Sequence, residues 1–88
     1  MADASLRIDK WLWHARFCKT RAIAQEKAEA GHIRINGNRV QKSSASVRIG
    51  DVLTLPTGGK VLALRVLGLG ERRGPAPEAR LLYEEIED

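Results

Sequence analysis

The feature that most constrains the fold is a change of hydrophobic period at Gly31. Before it, residues 9–18 and 20–30 have the apolar spacing of two short helices and contain no strong helix breaker. After it, Ile33 and Ile35 alternate with polar residues, as on a strand that buries one face. Further short apolar runs follow, so the chain is predicted to have an α+β fold.

Both predicted helices have sequence signals at their ends. Asp9 is placed to cap the first helix and Thr20 to cap the second, while Gly31 supplies the left-handed residue that ends the second. Because almost no linker separates the helices, we expect them to pack as an angled pair with Arg21 beside their junction. The cations therefore gather at one corner of the predicted fold.

Downstream of the helices the chain is predicted to form short strands joined by turns. Asn36 and Gly37 favour a tight hairpin, because both residues tolerate a positive φ. Pro75 and Pro77 interrupt the chain before its last segment. The remaining predicted elements are a polar loop at 41–46, strands at 47–49, at 52–55 up to Pro56 and at 61–69, and a short C-terminal helix at 78–87.

Size and composition exclude several classes of protein. At 88 residues the chain is one small domain at most. Its single cysteine, Cys18, cannot form an intramolecular disulfide, and no Cys/His set has the spacing of a zinc site. The first residues lack the basic region followed by an apolar stretch that is typical of a signal peptide. No apolar run approaches the roughly 18 residues that a membrane span needs. We therefore expect a cytoplasmic protein without a metal, a cofactor or a membrane partner.

Charge is distributed unevenly along the chain. Residues 1–50 carry ten Lys and Arg against four Asp and Glu, whereas residues 51–88 carry five against seven. A basic half attracts nucleic acid or an anionic membrane surface, and the acidic end would avoid the same partner. Charge alone therefore predicts an anionic partner without saying which one.

No catalytic constellation is present in the sequence. Ser43, Ser44 and Ser46 share a polar loop, but His14 and His32 lie on other elements and no acid is placed to orient either of them. The glycine pairs lack the strand–loop–helix order of a phosphate-binding loop. An enzyme is therefore not expected.

The strongest functional signal is a cluster of cations and rings around the first helix. Between Lys10 and Gln25 no acid is available for an i,i+4 ion pair, so the positive potential is not neutralised locally. Such a patch is either the solvated face of a helix or a surface for phosphates, and the missing acids favour phosphates. The cluster consists of Arg7, Lys10, Arg16, Lys19 and Arg21, interleaved with Trp11, Trp13, His14 and Phe17.

The rings of this cluster have two interpretations. Trp11 and Trp13 point about 200° apart on a helix, so one of them is expected to be exposed. Trp13 shares its side with Phe17, where a ring can stack on an unpaired base; the alternative is that each ring only covers the core. His14 is either a phosphate contact when protonated or polar surface.

Two further side chains have a structural and a chemical interpretation. Asp9, besides capping, is placed to pair with Arg7 or a later arginine and so to hold the basic surface in position. Cys18 precedes Lys19 at a helix end, a setting that can lower a thiol pKa, but a small half-buried apolar residue is the favoured interpretation.

Four stretches together resemble the S4 RNA-binding domain, a family named for a protein of the small ribosomal subunit: Arg7–Trp13, Lys19–Ala22, Gly31–Gly37 and Val47–Leu53. The resemblance implies two short helices packed on a small, mostly antiparallel sheet of about four strands, followed by a short C-terminal helix. The implied boundaries are an N-terminal extension at 1–6, the RNA-binding domain at 7–70 and a proline-broken linker with the C-terminal helix at 71–88.

The resemblance also implies which residues contact RNA. On the helices it points to Arg7, Lys10, Trp11, Arg16, Lys19, Thr20, Arg21 and Gln25, and at the hairpin to Asn36, Gly37, Asn38 and Arg39. The complete predicted site adds Trp13, His14, Arg34 and Lys42. One departure from the family pattern lies on the second helix, where Lys27 and Ala28 stand in place of larger apolar residues and either thin the core or let the lysine stem cover it.

Within the family, the tryptophan-rich opening and the ending Pro75–Glu85 are most similar to a ribosome-associated heat-shock branch. That similarity implies binding to free large ribosomal subunits that still hold a nascent chain on transfer RNA, as part of rescuing aborted translation. Separately, the chain is expected to be a monomer. Two alternatives stay open: an RNA-binding accessory subunit of an RNA-modifying or translation enzyme, and a DNA-binding or membrane-surface protein attracted by charge alone.

Overall fold

The computed structural model describes residues 4–86 and has an α+β fold, as predicted. Two N-terminal helices pack on two small antiparallel sheets. One sheet pairs β1 with β4, and the other has five strands in the order β3-β2-β5-β6-β7. The elements are β1 (Ser5–Arg7), α1 (Ile8–His14), α2 (Arg21–Glu29), β2 (Arg34–Ile35), β3 (Asn38–Arg39), β4 (Ser46–Arg48), β5 (Val52–Thr57), β6 (Lys60–Val66), α3 (Ala76–Ala79), a 3-10 turn (Arg80–Leu82) and β7 (Tyr83–Glu85).

The first helix is shorter than predicted and is not capped by Asp9. The helix begins at Ile8, after Arg7, and ends at His14. It stops there because Arg16 takes a left-handed backbone conformation, with a φ of 63°. The Asp9 carboxylate instead lies inside the fold and accepts a hydrogen bond from the Lys10 backbone N–H at 2.7 Å.

The second helix and the hairpin confirm the local predictions. Thr20 caps α2, its hydroxyl accepting from the Ile23 N–H at 3.1 Å, and Gly31 follows the helix with a φ of +84°. Asn36 and Gly37 form the tight turn between β2 and β3, with φ values of 51° and 84°. Short-range chemistry therefore fixes these two elements.

The second half of the chain departs from the prediction at three strands. β5 continues through Pro56, because the proline lies beyond the end of β2 and β5 has only β6 beside it there. β6 ends at Val66 instead of 69 and is only half-buried. The pairing of β1 with β4 was not predicted at all.

The C-terminal helix is present but lies earlier than predicted. α3 and its 3-10 turn end at Leu82, and residues 83–85 form β7, which pairs with β6. The predicted helix at 78–87 is therefore wrong over its second half, and residue 87 lies outside the described residues. Backbone pairing to β6 and burial of Leu64 and Val66 favour the strand over continued helix.

The core is one apolar cluster centred on Trp11, which is completely buried. The Trp11 indole Nε1 donates to the Gly68 carbonyl at 2.8 Å, and the ring contacts Phe17 and Tyr83 at centroid distances of 6.0 and 6.4 Å. The other large, fully buried apolar side chains are Ile8, Leu12, Ile33, Val47, Leu53, Leu64 and Val66.

The side of α2 that carries Lys27 and Ala28 lies beside a cavity. Ala28 is fully buried, whereas Lys27 is exposed and stands at the rim of a cavity of about 310 Å³ whose walls include Leu12, Cys18 and Leu55. Cys18 is itself 4% exposed, and burial raises the pKa of its thiol more than the positive charge of Lys27 lowers it. The interpretation of Cys18 as a small apolar residue is confirmed.

No helix among residues 4–86 is both long and apolar enough to span a bilayer. The same residues contain no group of three or more His, Cys, Asp or Glu side chains placed to hold a metal ion.

Candidate nucleic-acid interface

Four predicted site residues surround one buried carboxylate at the junction of the helices. Asp9 is completely buried, and Arg7 donates to it from Nε at 3.2 Å and from Nη2 at 3.1 Å. Gln25 donates from Nε2 at 3.2 Å, and the Arg21 Nε lies 3.7 Å away. We call Arg7, Asp9, Lys10, Arg21 and Gln25 the helix corner.

The helix corner holds its arginines in place while leaving them accessible. The Arg7 and Arg21 side chains are 47% and 42% exposed, so each guanidinium has one edge on Asp9 and the rest toward solvent. A guanidinium fixed in this way loses less conformational entropy when it binds a second anion. The expected pairing of Asp9 with the arginines is confirmed.

The pKa of Asp9 is shifted by opposing effects. Burial raises the pKa, but hydrogen bonds from Arg7, Gln25 and the Lys10 N–H outweigh burial and leave the pKa below its ordinary value of 3.8. A lowered folded-state pKa means that the ionised carboxylate stabilises the fold above about pH 4. This contribution is lost as the pH falls through the folded-state pKa.

We therefore expect Asp9→Asn to lower the free energy of unfolding at pH 7 by about 2 kcal/mol, because the amide keeps the shape of the side chain but not its charge. Urea unfolding at several pH values measures the effect. The difference from wild type should shrink as the pH falls from 5 to 2. A difference that is constant over this range would show that the charge of Asp9 is not what stabilises the corner.

The polar loop at 41–46 joins the helix corner to the hairpin. The Ile8 N–H donates to the Ala45 carbonyl at 2.7 Å, and the Asp9 N–H donates to the Ser43 carbonyl at 3.3 Å. The pairing of β1 with β4 places Arg7 opposite Ser46. The loop therefore lies directly against the start of α1, and the basic surface continues from the helices onto the sheet.

An open groove of about 720 Å³ follows this loop along the hairpin. Its cations are Arg39, Lys42 and Arg48, and its remaining lining is largely polar. The Arg39 Nε donates to the Gly31 carbonyl at 3.3 Å, which ties the hairpin to the end of α2. We call this feature the hairpin groove; it is lined by Ile35, Asn36, Asn38, Arg39, Val40, Gln41, Lys42, Ser44, Ala45, Ser46, Arg48 and Asp51.

Two arginines face each other directly across the hairpin. Arg34 on β2 and Arg39 on β3 are antiparallel partners, and both are exposed. Like charges directly opposite one another destabilise a strand pair, because each raises the potential at the other. Neither arginine has a carboxylate partner among residues 4–86. This strand pair therefore carries two positive charges that no carboxylate of the described residues neutralises.

The structure corrects two of the sixteen predicted site residues. Trp11 is completely buried and His14 is 1% exposed, so neither side chain can reach RNA. His14 lies with its Nδ1 3.3 Å from the Leu69 carbonyl. The segment after β6 covers both side chains, because the Gly68 carbonyl accepts from the Trp11 indole and the Leu69 carbonyl lies beside the His14 ring. Trp13 lies between these extremes, with its side chain partly exposed.

Several predicted site residues also have a structural role within the fold. Arg16 donates from Nη1 to the Gly74 carbonyl at 2.8 Å, and Thr20 caps α2. The Asn36 side chain accepts from the Val52 N–H at 2.9 Å and donates to Asp51 at 3.1 Å, which fixes the hairpin to β5. The predicted residues without a side-chain hydrogen bond or ion pair in the described part of the chain are Lys10, Trp13, Lys19, Arg34, Asn38 and Lys42.

Of the twelve residues that line the hairpin groove, eight lie outside the predicted site: Ile35, Val40, Gln41, Ser44, Ala45, Ser46, Arg48 and Asp51. Arg48 lies on β4, and its place beside Lys42 depends on the unpredicted pairing of β4 with β1. The one available signal was the serine-rich composition of the loop, whose hydroxyls are suited to phosphate oxygens.

Two helices on a small antiparallel sheet, with a basic surface running from the helix junction to a hairpin, define a nucleic-acid-binding domain of the α+β class. The model of the S4 domain matches residues 6–53, and the chain belongs to the S4 domain family. The predicted family is confirmed.

The chain is similar to several bacterial proteins over most of its length. It is 44% identical over 87 residues to the heat shock protein 15 homolog of Haemophilus influenzae and 49% identical over 80 residues to heat shock protein 15 of Escherichia coli. These matches cover 99% and 91% of this chain, but the chain spans only 66% and 59% of those relatives' length.

A shorter relative and a solved structure extend the comparison. The RQC P-site tRNA stabilizing factor of Bacillus subtilis is 43% identical over 61 residues, which cover 69% of this chain and 70% of the relative. The structure of Vibrio cholerae heat shock protein 15, described as trimeric, superimposes with a TM-score of 0.88 at 42% identity. That superposition covers 94% of this chain and 83% of the Vibrio chain.

Proposed function

We propose that this chain is a non-catalytic RNA-binding protein that docks structured ribosomal or transfer RNA onto the helix corner and the hairpin groove. The observation that carries the proposal is the pair Arg34 and Arg39, held opposite each other beside a basic groove. Such a pair is stabilised when a phosphate lies between the two guanidinium groups. The membership of the S4 domain family supports RNA over other polyanions.

The proposed contacts divide by chemistry. Arg7 and Arg21 are fixed by Asp9 and are suited to bidentate contact with phosphate, whereas Lys10, Lys19 and Lys42 act as mobile point charges. Contacts of this kind position the RNA by its backbone geometry and carry little sequence information. We propose as the contact set the predicted site without its two buried members: Arg7, Lys10, Trp13, Arg16, Lys19, Thr20, Arg21, Gln25, Arg34, Asn36, Gly37, Asn38, Arg39 and Lys42.

We further propose that the RNA partner is the large ribosomal subunit that still carries a nascent chain on transfer RNA. Support comes from the names of two relatives, one a heat shock protein and the other a factor that stabilises transfer RNA in the P site. Cosedimentation with purified large subunits, with and without a nascent chain on transfer RNA, tests this proposal. Equal cosedimentation in both cases would contradict it.

RNA binding itself is tested by its dependence on salt. With about four to six phosphate contacts, we expect the logarithm of the association constant to fall with the logarithm of salt concentration with a slope of roughly −3 to −5. Fluorescence anisotropy of labelled structured RNA between 50 and 300 mM salt measures the slope, with duplex DNA and anionic vesicles as competitors. A flat salt response, or competition by duplex DNA and anionic vesicles as strong as that by unlabelled structured RNA, would contradict the proposal.

A further inference from the structure

A second groove lies outside both the helix corner and the hairpin groove. It has a volume of about 310 Å³ and runs between the end of α1 and the segment from α3 to β7. Arg16 and Arg80 line it together with Phe17, Ala79 and Tyr83. Its volume lies at the small end of the range of about 300–1,000 Å³ that is typical of ligand pockets.

The lining of this groove includes two aromatic rings that pack on the core. The Phe17 and Tyr83 rings lie 4.8 Å apart between centroids at an interplanar angle of 48°. Both rings pack on buried Trp11 and remain partly exposed. A ring that is fixed on one side and open on the other offers a stacking surface at little cost in conformational entropy.

The cations of the groove are Arg16 and Arg80. The Arg16 guanidinium is fixed, because Nη1 donates to the Gly74 carbonyl at 2.8 Å, and its remaining donors stay available. Arg80 begins the 3-10 turn and is exposed. Within residues 4–86, neither arginine forms a salt bridge, whereas the nearby Arg72 is paired with Glu78 at 3.3 Å.

We infer that this groove holds one unpaired nucleotide of the RNA, with its base packed against the Phe17 and Tyr83 rings and its phosphate bound by Arg16 and Arg80. This inference rests on the proposed function and adds a specificity for RNA that carries an extruded base. Rings alone would suit any apolar group, and arginines alone any phosphate. Their combination in one small groove is the chemistry of single-stranded nucleotide recognition.

The test compares RNA hairpins that differ in a single bulged nucleotide. We expect the wild-type chain to bind the bulged hairpin about 10-fold more tightly than the fully paired one, because one base gains a stacking partner. A hairpin with an abasic bulge should lose most of this preference. For the variants Arg80→Ala and Phe17→Leu, the ratio of the affinities for the bulged and the fully paired hairpin should fall toward 1. The control Arg72→Ala, which removes a paired arginine, should keep the wild-type ratio.

The outcomes separate this inference from the proposed function. Equal binding of bulged and paired hairpins would contradict the inference that the groove holds an unpaired nucleotide, while the proposal of RNA binding would stand. Absence of binding to every hairpin would overturn the proposed function instead. A preference that survives both groove variants would place the unpaired nucleotide elsewhere. Because Arg80 is exposed, Arg80→Ala keeps the test decisive even if Phe17→Leu lowers stability.

Discussion

Replacing Arg34 and Lys42 together with glutamate is expected to lower the affinity for structured RNA by about 100-fold or more. Both cations lie on the proposed interface and have no internal ion pair among residues 4–86. A hydrogen bond to a charged group contributes about 1.5–3 kcal/mol, so each lost contact costs about one order of magnitude in affinity. Anisotropy titration with labelled RNA at fixed salt measures the loss.

The same double variant is expected to unfold no more easily than the wild type. A glutamate at position 34 faces Arg39 across the hairpin and replaces a repulsive pair with an attractive one. The midpoint of thermal unfolding should therefore stay constant or rise. A variant that loses binding together with stability would show that these side chains support the fold instead of the interface.

A matched control separates local contacts from overall charge. The double variant Lys60→Glu and Arg72→Glu changes the net charge by the same amount, at exposed positions outside the helix corner and the hairpin groove. It should lose less than about 10-fold in affinity, since distant charges are screened by salt. Equal losses in both double variants would indicate attraction by net charge alone.

Reversal of Arg16 or Arg21 would be a less informative experiment. Arg16 holds the Gly74 carbonyl, and a glutamate at position 21 would stand beside buried Asp9. A glutamate at position 16 would lose the hydrogen bond to the Gly74 carbonyl, and a glutamate at position 21 would place a second carboxylate beside the buried one of Asp9, so either change would disturb the fold along with the interface.

The second large effect concerns the core. Trp11→Ala is expected to lower the free energy of unfolding by about 3–5 kcal/mol, a large part of the roughly 5–15 kcal/mol that stabilises a small domain. The variant empties the centre of the cluster, removes the hydrogen bond to the Gly68 carbonyl and takes away the support of Phe17 and Tyr83. Urea unfolding followed by circular dichroism measures the change.

Two further variants distinguish a core role from an RNA contact. Trp13→Ala removes a partly exposed ring of the same size and should cost far less stability. Trp11→Phe retains an aromatic core residue, so under conditions where it is folded it should bind RNA like the wild type. A Trp11→Phe protein that is stable but binds RNA poorly would contradict the burial of this residue.

The parts of the fold that depend on neighbouring residues were predictable from the sequence. The cap at Thr20, the left-handed Gly31 and the Asn36-Gly37 turn each require only a few adjacent residues, and all three are present in the structure. The pairing of Asp9 with arginines was also predictable, because the surrounding sequence contains several cations and no competing acid.

The parts that failed depend on contacts between distant segments. The burial of His14 could not be predicted from helical period, since the chain around Leu69 covers that side of α1. The RNA contact of Trp11 was implied by the family resemblance alone, whereas the helical pattern left a core role open for it. The strand at 83–85 owes its conformation to pairing with β6, which no local pattern encodes. The left-handed Arg16 ends the first helix without any glycine or proline to mark the position.

The position of Tyr83 has a consequence for how the protein is made. Trp11 is covered by Gly68 and Tyr83. Both residues lie near the C-terminal end of the chain, so they are synthesised after the two helices. During synthesis the helix pair and the hairpin therefore emerge with their central indole still uncovered. Folding must wait for contacts of high sequence separation, and such contacts form slowly. Residues 6–53, although sufficient to be recognised as a family member, are expected to stay unfolded until the later strands arrive.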